Sequence, residues 1–271
     1  MSQKDKTLSI FLIILLSFAG LAVIGFFCFA VLTARTGFDF HIGFDGTRYI
    51  DNLVLEKEFD MNSISLIDIT QDYGDIEIIS SATAEDNTKI IVKAYAKDEG
   101  KVKVYDEGAT LYALNSPDSC NFLCFNQNGV KFLITIPEGY AGNFKVESDY
   151  GKTSIGSFKN ASIDATSDYG DIEVGSAKNI HLELDAGNAR VGNCYGRINI
   201  KNDMGNVDID HLELTENSSI ELDMGNVNIS DVGTARVITN VDLGNTDVQR
   251  HNDESTIILT IQNDMGNVTV R

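Results

Sequence analysis

Ser219-Ile-Glu-Leu-Asp-Met-Gly-Asn-Val-Asn-Ile-Ser230 decides how the whole chain is read. Ile220, Leu222 and Met224 alternate with Glu221 and Asp223, the period-two pattern of a strand with one buried face. Gly225-Asn226 interrupts the alternation, which resumes with Val227 and Ile229 directed inward and Asn228 outward. Gly and Asn are the residue types that tolerate the backbone angles of a tight corner. The stretch therefore predicts strand, corner, strand, with Met224 on the core side.

The same phrase, Asp, one apolar or small residue, Gly, then usually Asn or Asp, occurs eight times. The copies begin at Asp72, Asp149, Asp168, Asp185, Asp203, Asp223, Asp242 and Asp264. From Gly151 onward the glycines lie 19, 17, 18, 20, 19 and 22 residues apart. A near-constant period of this size means one supersecondary unit stacked on its own copies. Each unit is expected to be a strand, a tight corner, a second strand and a variable second corner, such as 161–167 (ASIDATS) or 211–219 (HLELTENSS). The same register places Phe144, Val146, Leu182, Leu184, Ile198, Ile200, Leu259 and Ile261 inside. The expected fold class is all-β, a β-solenoid of about 19-residue repeats. At the usual strand spacing its last seven units would form a rod of roughly 34 Å.

Residues 7–34 contain no charged side chain. That exceeds the roughly 20 residues a spanning helix needs and the roughly 7–15 of a cleavable signal core. An uncleaved transmembrane helix is expected over 7–34, after a cytoplasmic tail of residues 1–6. Lys4 and Lys6 precede the span, but Arg35 and Arg48 follow it, so charge alone orients it weakly. A short tail and a long β-domain favour a single-pass protein of the cell membrane with its C-terminal domain outside the cytoplasm. Residues 35–60 read as a juxtamembrane connector. Residues 61–148 read as an irregular β portion with hairpins that caps the stack, since the first two copies of the phrase lie 77 residues apart. Residues 149–271 hold the regular repeats.

The net charge of -19, from 40 acidic and 21 basic residues, excludes a nucleic-acid-binding surface and favours cations or cationic partners. It also keeps a long β-surface soluble. Catalytic patterns are thin. There is no nucleophile elbow, phosphate loop or metalloprotease helix. His181 with Glu183, and His211 with Glu213, each share a strand face and read as solvated surface. Cys120 and Cys124 are placed to bridge if the domain lies outside the cytoplasm, Cys28 falls within the span, and Cys194 has no obvious mate.

The repeated positions have mainly structural readings. Gly supplies the corner, Asn at the fourth position can bond to its copies along the axis, and Asp at the first can accept backbone amides as an Asx-turn. The second-position residues Tyr150, Tyr169, Met204, Met224, Leu243 and Met265 are expected to form a core stripe. A register slip of one would instead make them an exposed apolar strip. The functional reading falls on Asp149, Asp168, Asp185, Asp203, Asp223, Asp242 and Asp264, a line of carboxylates that could hold calcium; no other cofactor is expected.

The strand DYGDIEII, the segment VKFLITIPEG followed by FKVESDYGKTSIG, and the run of D-x-G-N units to the C-terminus resemble a bacterial family of candidate adhesins, a domain family of unknown function built from β-strand repeats. The resemblance spans roughly 60–271. It implies a right-handed β-solenoid outside the cytoplasm, linked with adhesion or envelope stress, and it transfers no catalytic residue. The expected function is a non-catalytic, membrane-anchored binding or scaffold module for wall polymer, a cationic peptide or a protein partner. Two rival classes are a regulatory protein in envelope-stress sensing that acts through its membrane helix, and a carbohydrate-active enzyme on a β-helix.

Overall fold

The computed structural model describes residues 52–81, 88–97, 99–115, 129–249 and 252–271. The expected tail and membrane span, and the Cys120–Cys124 pair, lie outside these residues. Among the described residues no helix is long and apolar enough to cross a membrane. The chain divides into Met1–Gly46 and Thr47–Arg271, and the fold below is that of the second unit.

Its described strands are, in chain order, β1 (Leu53–Asp60), β2 (Leu66–Tyr73), β3 (Ile76–Ser81), β4 (Lys89–Tyr95), β5 (Val102–Glu107) and β6 (Thr110–Asn115). There follow β7 (Lys131–Pro137), β8 (Asn143–Tyr150), β9 (Thr153–Tyr169), β10 (Ile172–Ala186), β11 (Ala189–Met204) and β12 (Val207–Leu212). The last are β13 (Ser218–Met224), β14 (Val227–Ile229), β15 (Arg236–Leu243), β16 (Thr246–Val248), β17 (Ile258–Met265) and β18 (Val268–Val270). The protein is all-β, and the repeats stack in parallel as in a solenoid.

One face of the stack collects the strands that enter the glycine corners; the other collects the strands that leave them. On the entering face the order is β5, β6, β2, β8, the second halves of β9, β10 and β11, then β13, β17 and β15. On the leaving face β7, β3, the first halves of β9 to β11, β12, β14, β18 and β16 follow one another. Between the faces lie Ile67, Ile76, Phe132, Phe144 and Ile155, all fully buried, with their stacked counterparts in the neighbouring rungs. Each such side chain contributes about 1.5–3 kcal/mol on leaving water. The inward assignments of Phe144, Val146, Leu182, Leu184, Ile198, Ile200, Leu259 and Ile261 all hold.

Rung order departs from sequence order at both ends. The rung β6/β7 lies outside β2/β3, although it comes later in the chain. At the far end the C-terminal rung β17/β18 is inserted between β13/β14 and β15/β16. The second corner also differs from expectation. Residues 161–167 are strand, with Ala161, Ile163 and Ala165 buried. In the inner rungs the bend comes earlier, as a register shift between Ala177 and Asn179 within an unbroken strand. A bulge bends a strand without ending its ladder, so no loop is needed there. The stretch 211–219 does contain a turn, between β12 and β13.

Candidate functional site

The glycine corners are held in line by ladders. Gly205 donates its N–H to Met224, Gly225 to Met265 and Gly266 to Leu243, each at 2.9 Å. Stacked corners come so close that a Cβ on Gly225 would stand 1.7 Å from the Gly205 carbonyl oxygen, and one on Gly170 would stand 1.8 Å from that of Gly151. Gly225 also has φ +144. Close approach is therefore a second reason for glycine, beside the backbone angle.

The fourth-position asparagines form the expected ladder. Asn188 Oδ1 accepts both the backbone N–H and Nδ2 of Asn206, at 3.1 and 3.2 Å. Asn206 receives Asn226 in the same way, and Asn226 receives Asn267. The ladder starts at Asp171, which accepts from Asn188 at 2.8 and 2.9 Å, and ends with Asn245 donating to Asn267.

The first-position aspartates do not act as Asx-turns. Asp149, Asp168, Asp185, Asp203, Asp223, Asp242 and Asp264 accept no side-chain hydrogen bond from the described residues, and the fourth position does that work instead. They run rung by rung along one edge, with Asp242 outermost because β17 is inserted ahead of β15. Asp149 has its carboxyl raised above the usual range, first by partial burial and then by Asp72, Asp168 and Glu147. Asp72 is raised by partial burial. Stacked like charges at this spacing repel. Among the described residues no three His, Cys, Asp or Glu side chains come together in a geometry that could hold a metal ion.

The second-position residues overturn the expected core stripe. Tyr150, Tyr169, Met204, Met224, Leu243 and Met265 are 47–65 % exposed. The burial pattern of β13 shows why: Ile220 and Leu222 point in and Glu221 out, but both Asp223 and Met224 lie outside. The pleat ends where the corner begins, so the residue before glycine is turned out beside the aspartate. The row runs Tyr73, Tyr150, Tyr169, Ala186, Met204, Met224, Met265, Leu243 through eight adjacent rungs. Eight rungs span roughly 34 Å. Tyr150 and Tyr169 stack with ring centroids 5.1 Å apart and planes 8° from parallel. An apolar ridge thus runs along the edge, with carboxylates on one side and the asparagine ladder on the other.

The inward position just before each aspartate is often polar: Gln71, Ser148, Ser167, Asn202 and Asn263 are all buried. Asn202 Nδ2 donates to the Gly187 carbonyl at 3.0 Å, and Asn263 Nδ2 to that of Gly225 at 3.1 Å. These two amides tie the corner from within. The apolar positions Leu184 and Leu222 drew the sequence reading away from them, although five polar residues at one repeat position were a signal that could have found them.

The two histidines among the described residues, His181 and His211, stay apart. His181 Nε2 lies 3.3 Å from Glu183 Oε1 on the surface. His211 pairs with Asp231 at 3.0 Å rather than with Glu213. Cys194 is buried, with its thiol pushed up to about 11 by that burial.

Solved structures that this chain matches include a candidate cell adhesion protein from Clostridium sporogenes ATCC 15579, at 11% identity over 80% of this chain and 98% of that one, with a TM-score of 0.37. A candidate adhesin from Bacteroides fragilis NCTC 9343 shows 13% identity over 80% and 96%, with a TM-score of 0.42. One from Parabacteroides distasonis ATCC 8503 shows 10% identity over 80% and 96%, with a TM-score of 0.35. No curated protein matches. The family model described as Toastrack DUF4097 matches residues 64–271, most of the chain, and the protein belongs to that family.

Proposed function

We propose that this protein is a non-catalytic, single-pass membrane protein whose right-handed β-solenoid stands outside the cytoplasm and binds an envelope component along its glycine-corner edge. The observation that carries this reading is the exposed Tyr/Met/Leu row running beside an aspartate row. A contiguous apolar strip with a polar rim is what an interaction site looks like on a soluble surface. Its acidic flank favours ligands that carry positive charge, whether a cationic peptide, the cationic groups of a wall polymer or a basic patch on a protein. The anchor rests on residues 7–34 of the sequence, and the handedness on the strong preference of parallel crossovers.

The test is binding of the full-length chain in membrane vesicles to isolated wall and membrane fractions. Tyr169→Ser with Met224→Ser is expected to lower binding at least tenfold. Glu183→Ser, on the outer face away from the ridge, is expected to leave it unchanged. Equal binding by all three would remove the ridge from the account.

A further inference from the structure

The methionines of the ridge form a cluster only in three dimensions. The chain has five methionines, and in sequence Leu243 separates Met224 from Met265. Insertion of β17 between β13 and β15 reverses this. Met204 is the register partner of Met224, Met224 of Met265, and Leu243 falls outside all three. Met204, Met224 and Met265 are 51, 48 and 47 % exposed as whole residues. In-register side chains of neighbouring strands start about 4.8 Å apart. Methionine is unbranched and has three rotatable bonds, so adjacent sulfurs can turn toward one point.

We propose that Met204, Met224 and Met265 form a thioether site for a soft monovalent cation of the Cu(I) or Ag(I) class. Thioether sulfur is a soft donor that favours such ions over calcium, magnesium or manganese, which take oxygen. It carries no proton, so binding releases none and changes little between pH 5 and 8. The ion's charge is met by Asp203, Asp223 and Asp264, each the chain neighbour of one of these methionines. They need not be ligands: a row of carboxylates raises the local concentration of any cation. The tyrosine half of the ridge, Tyr73 to Tyr169, has no sulfur and takes no part. The site shares an edge with the docking strip proposed above but requires no macromolecular ligand.

The test uses the full-length chain in detergent, labelled with 13C at the methionine methyl groups and titrated with silver nitrate in chloride-free buffer. The methyl signals of Met204, Met224 and Met265 are expected to shift together, while that of Met61, in the turn after β1, stays in place. Met224→Leu is expected to weaken binding at least tenfold, because it leaves the outer two sulfurs about 10 Å apart. This variant should fold, since Leu243 already occupies the same position in a rung of the stack. Asp223→Asn is expected to weaken binding only two- to threefold, and only at low salt. Silver captured by cysteine thiols leaves the methionine methyls unmoved, and that result alone would overturn the site. So would a Met224→Leu variant that titrates like the wild type, or an equal shift at Met61.

Discussion

The two ends of the stack are finished differently. At the N-terminal end the outer rung β6/β7 is covered on both faces, by β5 pairing antiparallel with β6 and by β4, itself paired with β1, running antiparallel to β7. Exposed ion pairs cross the antiparallel β1–β4 pair, Lys89 to Glu58 at 2.8 Å and Lys93 to Glu56 at 3.1 Å. At the C-terminal end the outermost rung is β15/β16, and among the described residues no strand lies beyond it. Its inward residues Val237 and Val241 are only partly buried. Antiparallel hairpins and charge are the usual protection of a sheet edge. The far end uses another device: β17/β18 is wedged beneath β15/β16, the rung before it in sequence, and so is held between two neighbours. One end is stabilised by what lies on top, the other by what is locked underneath.

The contrast predicts the largest effect for loss of the wedge. Truncation after Gln249 removes Leu259, Ile261, Val268 and Val270, all fully buried, at a cost on the order of 6 kcal/mol or more. Hydrogen exchange over 236–248 is then expected to reach unprotected rates while β2 and β8 stay protected. Protection that survives at 236–248 would mean that the outer rung does not depend on the inserted one.

The corners predict the next effect. Gly225→Ala places a methyl against the Gly205 carbonyl and forbids φ +144, and is expected to cost about 3 kcal/mol or more. Gly108, in the β5–β6 turn of the N-terminal cap, has φ +64 and open space around it. Gly108→Ala should cost only about 1 kcal/mol. Urea midpoints of the two variants measure the difference, and equal midpoints would break it.

A smaller effect is expected inside the corner. Asn263 Oδ1 is buried without a hydrogen-bond partner among the described residues, while its register partner Leu222 is apolar. Asn263→Leu loses the bond to Gly225 but also removes that buried oxygen, and is expected to change stability by less than about 1 kcal/mol. A loss of several kcal/mol would show that the inner amide, and not the glycine, holds the corner.

The smallest effect is electrostatic. Asp149 is raised in the folded state, so its ionised form is disfavoured there and the penalty is present at neutral pH. Folding therefore gains as pH falls through the carboxylate range and the group takes up its proton. Asp149→Asn should melt slightly higher than the wild type at pH 7, with the gap closing toward pH 3. A lower melting temperature at pH 7 would contradict the crowding of the aspartate row.

Much of this was legible in the sequence. Period-two alternation found the core, and the recurrence of Asn after Gly found the ladder. What was hidden had two physical causes. The alternation rule fails at the last residue before a corner, where Met224 and Tyr169 turn outward with the aspartates. Rung order was hidden because every copy of the phrase is an equally good neighbour for every other. The 22-residue interval from Gly244 to Gly266 and the polar run 249–255 after β16 were the traces of a crossing. Only three-dimensional pairing shows that the crossing carries the chain back beneath its previous rung, and so brings three methionines together.

That wedge makes the ridge continuous, and cross-linking tests it most directly. Asn228, Thr269 and Asp247 occupy the same position in β14, β18 and β16, with Thr269 in the middle. Adjacent rungs lie within disulfide reach and alternate rungs, about 10 Å apart, do not. Under oxidation, Asn228→Cys with Thr269→Cys is expected to form an intramolecular disulfide mapped by mass spectrometry, and Asn228→Cys with Asp247→Cys is not. A disulfide in the second pair and none in the first would place the rungs in chain order and contradict the account.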